Sequence, residues 1–184
     1  CCYDASFITY NKTPINKILV SGRGTNIEYF SYYDRSKISK FNNIVVKKIE
    51  MNYRRELTYN NNEYNLYLNK YICCFAGSTN RYNKTVNRHL NTHCILQKNY
   101  EILAAGSLLL NPISEKNELK KIGLIENENC MFVDMSDDTK IQNKLDFIVN
   151  PINKEYIDKI RSNGQIFAKK NFTSDKIYNK FKNI

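Results

Sequence analysis

Residues 98–112 read KNYEILAAGSLLLNP, and the reading of this stretch decides the fold. Ile102, Leu103, Ala104 and Ala105 are good helix formers or small packing residues, and Gly106 can take the left-handed conformation that ends a helix. Leu108, Leu109 and Leu110 then form an apolar run closed by Pro112. The pattern predicts a short helix, a one-glycine turn and a buried strand, with Glu101 at the start of the helix. That is half of a crossover unit in a parallel sheet. Ligands of such sheets sit beyond the carboxyl ends of the strands and at helix N-termini. Lys98, Tyr100 and Glu101 are therefore candidates for holding a charged or hydroxyl-rich ligand, set against the plainer reading of a solvated first turn.

Outward from this unit, the same alternation continues. Upstream, KILVS at 17–21 is a short β-rich run followed by Gly22, Arg23 and Gly24, and then by SYYDRSKISKF at 31–41, where Tyr32, Ile38 and Phe41 can share a helix face. Strand, glycine turn and helix is the usual opening of a nucleotide-binding α/β unit, although GRG lacks the third glycine of a dinucleotide fingerprint and is not a P-loop. NIVVKKI at 43–49 is a second strand, TYNNNEY at 58–64 reads as a loop, YNLYLNKY at 64–71 as a helix, and ICCFAG at 72–77 as an apolar strand ending in Gly77. The polar and basic segment 78–93 should lie above the carboxyl edge of the sheet. There Arg81, Lys84 and Arg88 are the phosphate-sized cations to weigh, although a solvated loop or helix face is the more common fate of such residues.

Downstream, 115–121 reads as a helix ending at Gly123, and CMFV at 130–133 as a strand. Residues 137–149 read as an amphipathic helix with Ile141, Leu145 and Ile148 on one face and Asp137 and Asp138 near its N-terminus. From Lys154 onward Ile157, Ile160, Ile166 and Phe167 recur at helical spacing. Ile177, Tyr178 and Phe181 do so in a last helix that Thr173 or Ser174 would cap. Strands alternating with helices along the chain predict an α/β fold: a Rossmann-like, doubly wound parallel sheet with helices on both faces. Residues 1–16 have no clear period and contain Pro14, so they read as an incoming linker or the tail of a preceding domain, with the domain itself at 17–184.

The formal net charge is +10, from 28 Lys and Arg against 18 Asp and Glu. Such an excess would ordinarily raise nucleic acid or an anionic membrane as partners. Here it is mostly Lys, spread along the chain with Asn, Ile and Tyr as an AT-rich coding sequence would give, and no RNP-like, helix-turn-helix or zinc pattern accompanies it. Six Cys include two adjacent pairs and no CxxC, and only His89 and His93 accompany them. A zinc site of standard spacing is therefore not expected, and buried, reduced thiols are. The sequons at Asn11, Asn83 and Asn171 are close to what an Asn-rich chain gives by chance. Neither a signal peptide nor an apolar run of about 18 residues is present, so the chain reads as a cytoplasmic domain without a transmembrane segment. Its first residue is Cys1 instead of Met, as in a piece of a longer polypeptide.

KNYEILAAGSLLL, then IGLIENENCMFVD at 122–134, then a helix, then KIRSNGQIFAKKNFTSDKIYNKF at 159–181, resembles the C-terminal, donor-binding half of glycosyltransferases of the two-Rossmann-domain (GT-B) architecture. The group-1 branch related to spore-maturation glycosyltransferases is the most similar. The Asn, Lys and Tyr bias resembles that of a giant virus or another AT-rich genome. The opening at 17–35 is similar to the first strand and loop of the same half. The most specific part is Glu101 followed by Ala104 and Gly106, then the apolar strand, then a strand ending at Asp134.

The resemblance implies that Glu101 binds the ribose hydroxyls of a nucleotide-sugar donor, since a carboxylate can accept two hydrogen bonds from a vicinal diol. It implies that backbone at the glycine-containing turns, Gly22, Gly24 and Gly106, approaches the donor. Arg23, Arg81 and Lys98 would neutralise the diphosphate leaving group. Many relatives carry a second Glu eight residues before the one matching Glu101. That position is His93 here, a donor to a sugar hydroxyl or phosphate, or a structural histidine. No cofactor is expected, and no metal, because the one acidic pair, Asp137 and Asp138, sits where a helix N-cap would use it. The implied activity is sugar transfer from a nucleotide sugar, completed by an N-terminal Rossmann-like domain upstream or in a partner. The alternatives are a non-catalytic nucleotide-binding domain and, less in keeping with the residues, a basic nucleic-acid-binding protein.

Overall fold

The computed structural model describes residues 8–22, 33–48, 61–77, 82–83, 88–89 and 97–172. The strands are β1 (Ile15–Gly22), β2 (Ile44–Lys48), β3 (Tyr71–Phe75), β4 (Tyr82–Asn83), β5 (Arg88–His89), β6 (Leu108–Pro112) and β7 (Met131–Val133). The helices are α1 (Tyr33–Ile38), α2 (Asn61–Asn69), α3 (Gln97–Ala104), α4 (Lys116–Lys121), α5 (Asp138–Val149) and α6 (Lys154–Asn171). Five strands form one parallel sheet in the order β2-β1-β3-β6-β7. The chain steps one way from β1 to β2, returns to the far side of β1 as β3, and then continues outward. This reversal makes the gap between the carboxyl ends of β1 and β3 the switch point of the sheet. β4 and β5 pair with each other, antiparallel and outside that sheet, with Tyr82 opposite His89.

Every residue of β3 and β6 is buried, which is why both strands read as continuous apolar runs without alternation. Their side chains still divide by parity. Leu19, Cys74, Leu109 and Phe132 face a layer containing Leu68, Ile102 and Leu103, with Leu119 and Leu124 in the same cluster. Ile18, Val20, Cys73, Phe75, Leu108, Leu110, Met131 and Val133 face the opposite layer, with Ile38, Ile141, Leu145 and Ile148. The double winding expected from the sequence is thus observed, with helices on both faces. Cys73, Cys74 and Cys130 are free and buried.

Helix α6 joins the two layers. Ile157 and Ile160 belong to one and Ala168 to the other, and Gln165 donates to Ala104 O at 3.0 Å, so the helix passes the amino-terminal edge of the sheet. Its buried stripe is 157, 160, 161, 164, 165 and 168, a helical repeat that includes Arg161, Gly164 and Gln165. Ile166, expected on that stripe, is instead 61% exposed, because the polar members of the real stripe hid its phase. Arg161 is fully buried: it donates to Asp158 Oδ1 at 2.5 Å and to Asn11 O at 3.1 Å, and its guanidinium lies 5.0 Å from the Tyr10 ring centre. Residues 8–14, within the stretch read as linker, are fastened along this edge. Ile8 is buried, Tyr10 donates to Asp158 O at 3.0 Å, and the Asn11 amide donates to Asn69 O at 3.0 Å.

Several expected boundaries shift. Helix α2 begins at Asn61, so the end of TYNNNEY is helical, and Tyr71 opens β3 instead of closing the helix. Asp137 caps α5, accepting from Thr139 N at 2.5 Å, as the sequence suggested. Phe41 lies beyond α1 yet packs on the layer containing Ile38. Among the described residues, no helix is long and apolar enough to cross a membrane. The expected final helix with Ile177, Tyr178 and Phe181, its capping candidates Thr173 and Ser174, and Tyr32 lie outside the described residues.

Candidate functional site

Helix α3 reaches the switch point through Lys98, whose Nζ donates to the backbone carbonyl of Ser21 at the end of β1. The same strand end meets α2, where the Ser21 and Tyr64 hydroxyls are 3.4 Å apart. Burial pushes the Tyr64 hydroxyl well above its ordinary pKa, and the negative charge of Glu101 adds to this, while the Ser21 hydrogen bond and the Arg35 charge oppose it. Tyr64, like any tyrosine at neutral pH, is a neutral hydroxyl, able to donate and to accept. On β3, Gly77 follows the strand end so closely that an added Cβ would lie 2.9 Å from Phe75 Cε1 and 3.3 Å from Arg35 Cγ. A side chain there would displace Arg35 from above the strand. Two cations, Arg35 and Lys98, two carboxylates, Glu101 and Asp34, and two hydroxyls, Ser21 and Tyr64, thus surround the ends of β1 and β3.

Of the residues singled out in the sequence, Gly22, Lys98 and Glu101 come together at this edge. Glu101 is the fifth residue of α3, so it stands a turn inside the helix instead of at its start. The free N–H groups of the first turn belong to the residues before it. Tyr100 also lies on α3, but its ring packs on Phe172 with centroids 4.2 Å apart, at the end of α6. Gly106 is not brought to the edge: it sits at the far end of α3, in the turn entering β6, with φ +74°. There Ser107 N donates to Ile102 O at 3.3 Å, and an added Cβ would lie 3.1 Å from Gln165 Nε2. Its role in the described structure is to end the helix and admit α6. Arg23, Gly24, Arg81, Lys84 and His93 lie outside the described residues; for Arg88 the backbone, in β5, is described.

The sequence reading did not single out Ser21, Arg35 or Tyr64. The available signal was the rule that the first helix after the switch-point strand and the residues ending that strand line the crevice. Applied to KILVSG and YYDRSK, it selects Ser21 and Arg35. Tyr64 carried no such mark, because its stretch read partly as loop. At the far edge, Asp134 directly follows β7. Hydrogen bonds from Lys140 Nζ at 2.7 Å and Ser136 N at 2.9 Å hold its carboxyl well below the usual carboxylate range. Among the described residues, no three His, Cys, Asp or Glu side chains gather as a group that could hold a metal ion.

No protein-family model matches the chain, and no curated protein matches it in sequence. Its fold does match solved structures. The crystal structure of the C-terminal domain of a glycosyl transferase group 1 family protein (LpcC) from Francisella tularensis superposes with a TM-score of 0.54 at 11% identity, over 94% of this chain and 99% of that one. Anabaena Alr3699/HepE in complex with UDP gives 0.52 at 11% identity, over 92% of this chain and 50% of that one. The chain therefore spans the whole of the first and half of the second. Its five-stranded parallel sheet flanked by helices has the fold of the C-terminal domain of group 1 glycosyltransferases.

Proposed function

We propose that this chain is the donor-binding half of a metal-independent glycosyltransferase, holding a nucleoside diphosphate or nucleotide sugar at the carboxyl edge of its sheet and requiring a second Rossmann-like domain for transfer. The observation that carries this reading is the Lys98 contact with the carbonyl of Ser21. It ties α3 to the end of β1 and sets Glu101 beside the switch point, where its charge is felt at Tyr64. A carboxylate there suits a ribose diol, and Lys98 and Arg35 suit a diphosphate. The neighbour of like fold described in complex with UDP supports the choice of ligand class. Arg23, Arg81 and His93 would complete the anion and sugar contacts from the flanking segments. In sugar transfer the main electrostatic task is to stabilise the departing diphosphate, which fixed cations can perform without a metal.

A thermal-shift series with UDP, GDP, ADP, their sugars and a single-stranded oligonucleotide tests the reading. One nucleoside diphosphate and its sugar should raise the melting temperature in a concentration-dependent way, as expected of a ligand that binds only the folded state. The shift should persist in EDTA. Stabilisation by the oligonucleotide alone, or a nucleotide shift that EDTA abolishes and Mn²⁺ restores, would overturn it.

A further inference from the structure

Three side-chain amides are sealed inside the protein at the carboxyl end of one sheet face. Asn65 of α2, Asn99 of α3 and Asn111 of β6 are each 0% exposed. Among the described residues, neither the nitrogen nor the oxygen of any of these amides has a hydrogen-bond partner. Their placement follows from parity and helical spacing. Asn111 is two residues beyond Leu109, on the face that packs against Ile102 and Leu103, and it stands opposite Phe132 of β7 in register. Asn99 precedes Ile102 and Leu103 by three and four positions, which puts it on the sheet-facing side of α3. Asn65 precedes the buried Leu68 by three on α2. Folded proteins leave few buried amides unsatisfied, because water lost without a replacement partner is costly.

We propose that Asn99 and Asn111 hold internal water between the first turn of α3 and the end of β6, and that this hydrated seam positions Lys98 and Glu101 at the sheet edge. An internal water takes about three hydrogen bonds from groups otherwise unsatisfied. Each Asn offers two donors and a carbonyl with two lone pairs, so two amides on the packed faces of α3 and β6 can satisfy one or two waters without a charged group. An apolar pair would pack α3 on β6 equally well but would not fix its rotation, whereas directional bonds do. Asn65 extends the seam toward α2. The inference is independent of which ligand the edge binds.

Two measurements decide it. In the unmodified protein, the side-chain amide protons of Asn99 and Asn111 should show NMR cross-peaks to long-lived internal water; their absence overturns the proposal. In Asn99→Leu, Asn111→Leu and the double variant, each single change should lower the urea midpoint. The double should lose less than the sum of the singles, because one shared water is lost only once. Asn111→Leu should also speed hydrogen exchange of the Glu101–Ala104 amides by about tenfold, while that of β3 is unchanged. A raised urea midpoint, the result expected when an apolar group relieves an amide that had no partner at all, or unchanged exchange in α3, overturns it. Should the variants fail to fold, the cross-peaks in the unmodified protein decide the question alone.

Discussion

The proposed donor site depends most on Glu101. Its segment suggested a carboxylate at a helix start; the structure puts it one turn inside α3, so in the proposed site it would act as an acceptor without sharing the helix N–H groups. Glu101→Gln keeps the size and removes the charge, and UDP affinity measured by calorimetry should fall by roughly 1.5–3 kcal/mol, the worth of a hydrogen bond to a charged group. Unchanged affinity in the folded variant would remove Glu101 from the site. Asp158 makes a second prediction at this scale. Burial pushes its carboxyl up, but hydrogen bonds and charge from Lys154 and Arg161 outweigh that and leave it below its ordinary value. A depressed folded pKa contributes stability that is present above the unfolded value, about 3.9, and is lost as pH falls through the folded one. Urea titrations from pH 6 downward should therefore show Asp158→Asn starting less stable than the wild type, with the gap closing in the acid range. A gap that stays constant with pH would refute the linkage.

Elements were legible in proportion to how purely apolar packing defines them. β3 and β6 are buried along their whole length and read directly as ICCF and LLL, and α5 read directly from Ile141, Leu145 and Ile148. The stripe of α6 did not, because Arg161, Gly164 and Gln165 stand in it for reasons that no local pattern encodes: each meets a partner far away in sequence. Gly164 is the most informative of these. A Cβ there would lie 2.8 Å from the backbone oxygen of Asn129 and 2.8 Å from Leu103 Cδ2, so α6 is seated on the turn before β7 only because that position has no side chain. Gly164→Ala improves helix propensity by nearly 1 kcal/mol. It should nevertheless destabilise the domain, by about 1–3 kcal/mol, since a backbone oxygen cannot swing aside as a flexible side chain can. Chemical denaturation measures this, and a stabilised variant would show that the helix shifts at no cost. The candidate site was half legible for the same reason. Lys98 and Glu101 lie on a helix whose apolar residues and closing glycine were readable, whereas Ser21, Tyr64 and Arg35 are assembled by the β1–β3 reversal, which is a property of strand order and not of any segment.

At the scale of the whole molecule, the sheet order matters more than any motif. Among the described strands the order reverses once, and in the proposed function the groups around that point, Arg35, Lys98, Glu101, Ser21 and Tyr64, would hold a phosphorylated, hydroxyl-rich ligand. Transfer asks for more: an acceptor held against the donor carbon, and a wall that excludes water. If the chain is, as proposed, one half of a two-domain cleft, the other half must supply these. Residues 1–184 should therefore bind a nucleoside diphosphate without catalysing sugar transfer, and should gain activity when a second Rossmann-like domain is supplied upstream or in trans. On that proposal, donor hydrolysis and transfer should both stay near background while calorimetry still reports binding. The decisive measurement is a transfer assay on these 184 residues with the nucleotide sugar that stabilises them and a panel of acceptors. Robust turnover by the chain alone would mean that one sheet supplies the acceptor site and any base as well, and that the division of labour inferred from its fold is wrong.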